Sequence, residues 1–111
     1  MNIVQEKKGQ VLILHLSGTL AGTDAEEVEK EIFQLIQQGT HKFVLDLGEI
    51  SSVDEEGLRM LSSVEKKLRG LSGKLLLSSV SEFVKKKIKE CGFGHLFEFS
   101  ESEDQALQKC L

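Results

Sequence analysis

Two adjacent carboxylates, Glu55 and Glu56, lie within the segment Asp54–Leu58 (Asp-Glu-Glu-Gly-Leu), where an apolar run gives way to a helical pattern. A pair of carboxylates can supply a general acid and a general base, so catalysis is the first chemistry to consider. Neighbouring residues on a helix point roughly 100° apart, so these two side chains do not face each other across a substrate. No Ser, Cys or His is placed by a motif as a nucleophile or base. The sequence therefore predicts that the protein is not an enzyme.

The same segment has two interpretations that need no catalysis. Asp54 can cap the helix by accepting a hydrogen bond from the backbone NH of Glu56 or Gly57, which stabilises by about 1 kcal/mol. Glu55 and Glu56 lie early in the helix, where negative charge interacts favourably with the helix dipole by roughly 0.3–1 kcal/mol each. Such a helix start needs no function. The alternative is an exposed acidic surface that recognises or regulates a partner, and the two interpretations are compatible.

The remaining candidate groups predict neither a cofactor nor a metal ion. Cys91 and Cys110 lack the spacing of metal ligands, and we expect two reduced thiols. No glycine-rich phosphate-binding motif occurs. The three histidines are better explained as packing or surface residues than as ligands; they are His15, His41 and His95.

The charge distribution argues against nucleic acid as a partner. The formal net charge is −4, whereas phosphate binding needs a clustered basic surface. The one basic run, Lys85–Lys89, lies on a predicted amphipathic helix and is typical of a solvated face. Its alternative is contact with an acidic partner or with an anionic membrane surface.

Length and composition indicate one globular domain that spans residues 1–111. Apolar residues make up 40% and charged residues 29% of the chain, which is ordinary for a soluble protein. No apolar run approaches the ~18 residues that would span a membrane, and the N-terminus does not resemble a signal peptide. We therefore expect a cytoplasmic protein without stable membrane insertion, and the sequence leaves a homodimer open.

A regular alternation of strands and helices must position the Asp54–Leu58 segment. Near-continuous apolar runs are typical of strands covered on both faces, and apolar spacings of three and four indicate helices. Strands are predicted at Ile3–Gln5, Val11–Leu16, Phe43–Leu47, Leu75–Val80 and, as a short extended piece, Leu96–Phe99; helices are predicted from a Thr23 or Asp24 cap to Gly39, at Glu55–Leu68, at Glu82–Glu90 after a Ser81 cap, and from Ser100 or Ser102 onwards.

This order predicts an α/β fold with a mixed, mainly parallel sheet of four to five strands and about four helices. The opening hairpin adds an antiparallel edge, and the Phe43–Leu47 strand is expected to be central. Binding sites in such sheets gather where strands end and helices begin, as at Asp54. The predicted inward side chains include Leu58, Leu61, Val64 and Leu68 on the second helix, Phe83, Val84 and Ile88 on the third, and Ala106, Leu107 and Leu111 on the last.

Several short blocks follow one another in an informative order and spacing. They are Leu16–Leu20 (Leu-Ser-Gly-Thr-Leu), Phe43–Leu58 with its Asp-Glu-Glu-Gly-Leu ending, Lys74–Leu77, Cys91–Phe97 and Ser102–Leu107. Together they resemble the STAS domain, specifically the bacterial anti-sigma-factor antagonist family. The resemblance covers essentially the whole chain.

The resemblance implies a protein–protein interaction controlled by phosphorylation. Members of this family usually carry Asp-Ser-Ser/Thr-Gly-Leu at this helix start, and a partner kinase that is also the anti-sigma factor phosphorylates the hydroxyl directly after the Asp. Unmodified antagonist binds that kinase and frees the sigma factor, whereas a phosphate with about two negative charges blocks the contact. The partner implied here is an anti-sigma factor or serine kinase, and the implied contact residues are Asp54–Leu58, Ala21 and Thr23.

The chain departs from the family pattern at the modified position. Asp54 and Gly57 match, but Glu55 stands at the phosphorylated position and cannot accept a phosphate in the same way. Ala21 occupies a loop position where the family often has an acidic residue, and Arg59 replaces a common small residue. These changes predict a different partner or a lost switch on a retained fold.

Two hypotheses follow from the sequence. The first is a regulatory module that binds a kinase or anti-sigma-type partner through Asp54–Leu58 without being phosphorylated at Glu55. The second is a non-switching adaptor subunit of a signalling assembly or of a transport or lipid-trafficking system, which the lost hydroxyl and the Lys85–Lys89 run support. Nothing in these residues indicates nucleotide binding.

Overall fold

The computed structural model describes residues 1–92 and 94–110. Two residues named above, Leu111 on the last helix and Phe93 in the Cys91–Phe97 block, lie outside the described residues. The elements in chain order are strand β1 (Asn2–Lys8), β2 (Val11–Leu20), helix α1 (Gly22–Gln37), β3 (Lys42–Val53), α2 (Glu55–Gly70), β4 (Lys74–Ser78), α3 (Glu82–Lys89), a 3-10 turn (Gly94–Leu96), β5 (Glu98–Ser100) and α4 (Glu103–Lys109).

The five strands form one sheet in the order β1-β2-β3-β4-β5. Strand β1 pairs with β2 in the antiparallel sense through a tight turn at Gly9 and Gln10. Every later pair is parallel, and a helix provides most of the connection between successive parallel strands. The predicted α/β fold, with an antiparallel edge and a central third strand, is confirmed.

Alternate residues of the strands point to opposite faces of the sheet, and each face has its own helices. On one face Leu12 and Leu14 join the larger core, which helices α1, α2 and α3 complete. On the other face Val11 and Ile13 pack with residues of α4 in a smaller core. Burial on both faces explains why β2 begins with a continuous apolar run.

Two predictions about helix details are wrong. Phe83 does not point inward but is 65% exposed, because Val84 and Ile88, four residues apart, define the buried side of α3. Neither Thr23 nor Asp24 caps α1; its N-cap is Ala21, whose side chain makes no capping hydrogen bond.

Strand β3 is longer than predicted, and this length matters for the site. It continues past Leu47 because it keeps pairing with β2 as far as Leu20 and Val53, across two register shifts. The end of β3 therefore lies beside the end of β2, so the two following helices start next to each other. Within residues 1–92 and 94–110, no helix combines the length and the apolar character needed to cross a membrane.

Candidate functional site

Asp54 organises the start of α2. Its Oδ1 accepts a hydrogen bond from the backbone NH of Gly57 at 2.9 Å, which confirms the predicted cap. Its Oδ2 accepts a second, longer hydrogen bond from the backbone NH of Gly22 at 3.2 Å. One carboxylate thus satisfies an NH group at the start of α2 and another at the start of α1. This double role explains why α1 begins without a side-chain cap of its own.

Gly57 allows α2 to approach the end of β2 closely. A Cβ atom at this position would overlap the backbone carbonyl oxygen of Leu20 and would lie 2.7 Å from Cγ1 of Val53. The backbone NH of Asp54 also bonds to the Leu20 carbonyl oxygen, at 3.3 Å. Because the obstructing atom belongs to the backbone, it cannot move aside cheaply. Gly57 is therefore a packing requirement of this helix start.

Arg59 joins the two helices that begin at the site. Its Nη2 and Nη1 donate to the two carboxylate oxygens of Glu29 on α1 at 3.1 and 3.3 Å, and its Nε donates to Glu56 at 3.1 Å. Hydrogen bonds from Arg59 to Glu29 and then to Glu56 raise the pKa of Arg59 above its ordinary value. The charge of Glu56 is thus compensated within the fold.

Glu55 differs from its neighbours because its charge is not compensated. Its side chain is exposed, and among the described residues it forms no ion pair. Leu58, one turn further, is half-buried and packs against the edge of the larger core. A free carboxylate and a partly exposed leucine on one helix surface suit contact with another protein better than they suit chemistry on a small molecule.

An open groove of about 610 Å³ runs along α2 from this point. One of its walls comes from the segment that follows α3, which contributes a half-buried thiol. Its lining residues are Glu55, Leu58, Arg59, Ser62, Ser63, Lys66 and Cys91.

The loop between β2 and α1 lies next to the start of α2, as the sequence hypothesis requires. Ala21 is half-buried, and Thr23 is exposed at the first turn of α1. The bond between Gly22 and Asp54 holds the two segments together. Ala21, Thr23 and Asp54–Leu58 thus come from adjoining segments, but their role in binding a partner stays a prediction.

A second polar cluster was missed by the sequence analysis. Nδ1 of His15 lies 2.7 Å from Oδ2 of Asp46, and Nε2 lies 2.9 Å from Oε1 of Glu6. The nearest donor atoms of Glu6, His15 and Glu103 all lie within 4.8 Å of one another. We call Glu6, His15, Asp46 and Glu103 the His15 cluster. Its members come from β1, β2, β3 and α4, so no local motif could reveal it.

The carboxylates of the His15 cluster change its acid–base properties. Hydrogen bonds that His15 donates to Glu6 and then to Asp46 raise the pKa of His15. The bond with His15, followed by one with Lys8, lowers the pKa of Glu6. The only signal in the sequence was the alternation of Val11, Ile13 and His15, which places the imidazole on the face covered by α4.

Comparisons with known proteins agree with this fold. The sequence model of the STAS domain matches residues 2–106. The chain is 30% identical over 106 residues to BtrV of Bordetella bronchiseptica, which is provisionally assigned as an anti-sigma factor antagonist; the match covers 96% of this chain and 91% of BtrV.

Two solved structures show the same likeness in three dimensions. An anti-sigma factor antagonist from Mycobacterium paratuberculosis superposes with a TM-score of 0.87 at 20% identity, covering 98% of this chain and 92% of that one. A serine-to-glutamate variant of RsbS from Moorella thermoacetica gives 0.85 at 17% identity, with coverages of 99% and 95%. At these identities the superpositions show the fold alone. The family match and the BtrV identity go further: the chain belongs to the STAS domain family, as a member similar to the anti-sigma-factor antagonists.

Proposed function

We propose that this protein binds a regulatory protein partner of the anti-sigma factor or serine kinase class through the start of α2 and the adjoining loop after β2. The contact surface comprises Asp54–Leu58 with Ala21 and Thr23. The observation that carries the proposal is the exposed side chain of Glu55, which has no ion-pair partner within the described part of the chain. By the resemblance, Glu55 stands at the position where the family has a phosphorylatable hydroxyl. The Asp54 cap orders the backbone from which this carboxylate projects.

With Glu55 in place of a serine, phosphorylation at this position cannot change the charge of the surface. A glutamate carries one negative charge, whereas a phosphoserine carries about 1.5 to 2 and three strong acceptor oxygens. Glu55 is therefore a partial mimic of the phosphorylated state. We expect the affinity of the protein for its partner to lie between those of an unmodified and a phosphorylated antagonist. Incubation with the kinase and ATP should not change this affinity, because Glu55 has no hydroxyl to phosphorylate.

Phosphate transfer to a restored hydroxyl tests this proposal. The Glu55→Ser variant, incubated with ATP and a serine kinase of the anti-sigma-factor class from the native cell, should gain one phosphate by intact-mass measurement. Glu101→Ser is the matched control, because it places a serine at an exposed site before α4 and should gain none. A Glu55→Ser protein that stays unmodified and binds the kinase no more tightly than the wild type would contradict the proposal.

A non-switching adaptor is the second candidate, and one observation favours it. Lys86 and Lys87 are exposed on the same side of α3 as Phe83, whose ring is 65% exposed. An aromatic ring beside two ammonium groups is typical of a docking surface for an acidic partner. Capture of partners from the native cell separates the candidates: a sigma-factor-regulating kinase supports the first, and transport or lipid-trafficking proteins support the second.

Neither candidate requires catalysis. The carboxylates of Glu55 and Glu56 differ in their partners, since Glu56 is bound to Arg59, whereas Glu55 has no ion-pair partner among residues 1–92 and 94–110. We expect that Glu55→Gln and Glu56→Gln will affect partner affinity alone.

A further inference from the structure

The His15 cluster has the arrangement of groups that orients a metal-binding histidine. The Nδ1–H of His15 donates to Asp46 at 2.7 Å. The other oxygen of Asp46 accepts a hydrogen bond from the backbone NH of Gly48 at 3.0 Å, so the carboxylate is itself held in place. An outer carboxylate of this kind fixes the tautomer and the orientation of an imidazole and directs Nε2 at an ion.

Two further carboxylates stand on the Nε2 side of the ring. Oε1 of Glu6 lies 2.9 Å from Nε2, and a carboxylate oxygen of Glu103 completes a trio of donor atoms within 4.8 Å of one another. Two ligands that each lie ~2.1 Å from a tetrahedral zinc ion are roughly 3.4 Å apart. Rotation of the two half-buried glutamate side chains would therefore admit an ion without a change of backbone.

The charge and the polar groups of this region also favour a cation. Three carboxylates surround one imidazole. Among the described residues, the cation that forms a further ion pair with this cluster is Lys8, whose Nζ lies 3.3 Å from Oε2 of Glu6. Ser78 pairs with Asp46 across strands β3 and β4. Both lie two residues after a member of the smaller core, Val44 and Leu76, so their side chains share that face of the sheet. Its hydroxyl is buried and has no hydrogen-bond partner among the described residues. A buried hydroxyl without a partner costs roughly 1–3 kcal/mol, so a polar neighbour on this face of the sheet would stabilise Ser78.

We propose that Glu6, His15 and Glu103 bind a divalent transition-metal ion, with Zn²⁺ as the ion that best fits one imidazole and two carboxylates. Asp46 acts as the positioning residue for His15, and water completes the coordination. The ion would connect the edge strand β1 and helix α4 to strand β2. This site lies on the sheet face opposite to α2 and is independent of the proposed partner surface.

Calorimetric titration of the full chain with Zn²⁺ tests the proposal. The Cys91→Ser variant serves as the parent, because Cys91 is an accessible thiol that could bind zinc on its own. We expect one equivalent of Zn²⁺ to bind to the parent, and to bind more tightly as the pH rises, because the ion competes with a proton for the imidazole. His15→Gln should abolish this binding, and His95→Gln, which changes an exposed histidine elsewhere, should leave it unchanged.

The Glu103→Gln variant separates a metal site from a network of hydrogen bonds. This change leaves both bonds of His15 intact, so it alters a structural network little, but it should weaken zinc binding by at least about tenfold. The zinc-dependent rise in thermal unfolding temperature should shrink in parallel. Absence of saturable binding by the parent, or unchanged affinity in Glu103→Gln, would overturn the proposal, even if His15→Gln failed to fold.

Discussion

The start of α2 and the His15 cluster both gather carboxylates, but they neutralise them differently. At the start of α2, backbone NH groups satisfy Asp54 and a guanidinium satisfies Glu56 and Glu29, whereas Glu55 is exposed and the described residues offer it no ion-pair partner. In the His15 cluster, carboxylates from three elements converge on one imidazole. The first arrangement leaves one charge exposed, where we propose that a partner binds, whereas the second gathers charge around an imidazole, where we propose that a cation binds.

Close backbone packing holds the start of α2, whereas titratable side chains hold the His15 cluster. Of the changes considered, Gly57→Ala should reduce the free energy of unfolding most. The added methyl group would meet the Leu20 carbonyl oxygen, so we expect a loss of about 1–3 kcal/mol in the free energy of unfolding. Gly70→Ala is the control in the same helix, because its added methyl group meets open space. Denaturant titration measures both, and equal effects would show that the close approach of α2 to β2 is not a requirement.

Removal of the Asp54 cap should have the next largest effect. Asp54→Ala leaves the NH groups of Gly57 and Gly22 without their acceptor and should cost about 1–2 kcal/mol in the free energy of unfolding. Asp54→Asn retains an acceptor oxygen and should lose clearly less. If the two variants are equally unstable in denaturant titrations, the charge of Asp54 rather than its hydrogen bonds holds the helix start.

The His15 cluster should make stability depend on pH. The pKa of His15 is raised in the folded protein, so folding favours the protonated ring. Its stabilising contribution is full below the unfolded pKa of about 6.5 and is lost as the pH rises through the folded pKa. The pKa of Glu6 is lowered, so its contribution is lost as the pH falls through the folded pKa of that carboxyl.

Unfolding measured against pH in the presence of a chelator checks this expectation. The difference in stability between the wild type and His15→Gln should be greatest between the lowered pKa of Glu6 and the raised pKa of His15. A difference that does not vary with pH would show that the ring contributes by packing and not by its charge.

The exposed pair between Arg59 and Glu29 should contribute least to stability. Arg59→Lys removes the two-pronged contact but keeps the charge, so we expect a small loss that added salt reduces further. A double-mutant cycle with Glu29→Gln measures the coupling directly. A large, salt-independent coupling would mean that Arg59 is a structural link between α1 and α2 rather than a surface pair.

The two regions also differ in what could be predicted from the sequence. Asp54 and Gly57 are three residues apart, so the cap follows from local helix chemistry and was predicted correctly. The cap of α1 was predicted wrongly because its NH group bonds to Asp54, more than thirty residues away. The error at Phe83 arose from treating two adjacent residues as inward, although a helix turns them apart. The His15 cluster depends on the register of the strands and on the packing of α4 against the sheet, and no short sequence motif predicts either.

The affinity of an anti-sigma-type kinase, the proposed partner, for three forms of the protein tests the central claim most directly. The forms are the wild type, Glu55→Ser, and Glu55→Ser after phosphorylation, each titrated at the same ionic strength. We predict that unmodified Glu55→Ser binds most tightly, that its phosphorylated form binds most weakly, and that the wild type lies between them, on the order of tenfold from the tighter form. A wild-type affinity equal to or outside either extreme would contradict the role assigned to Glu55.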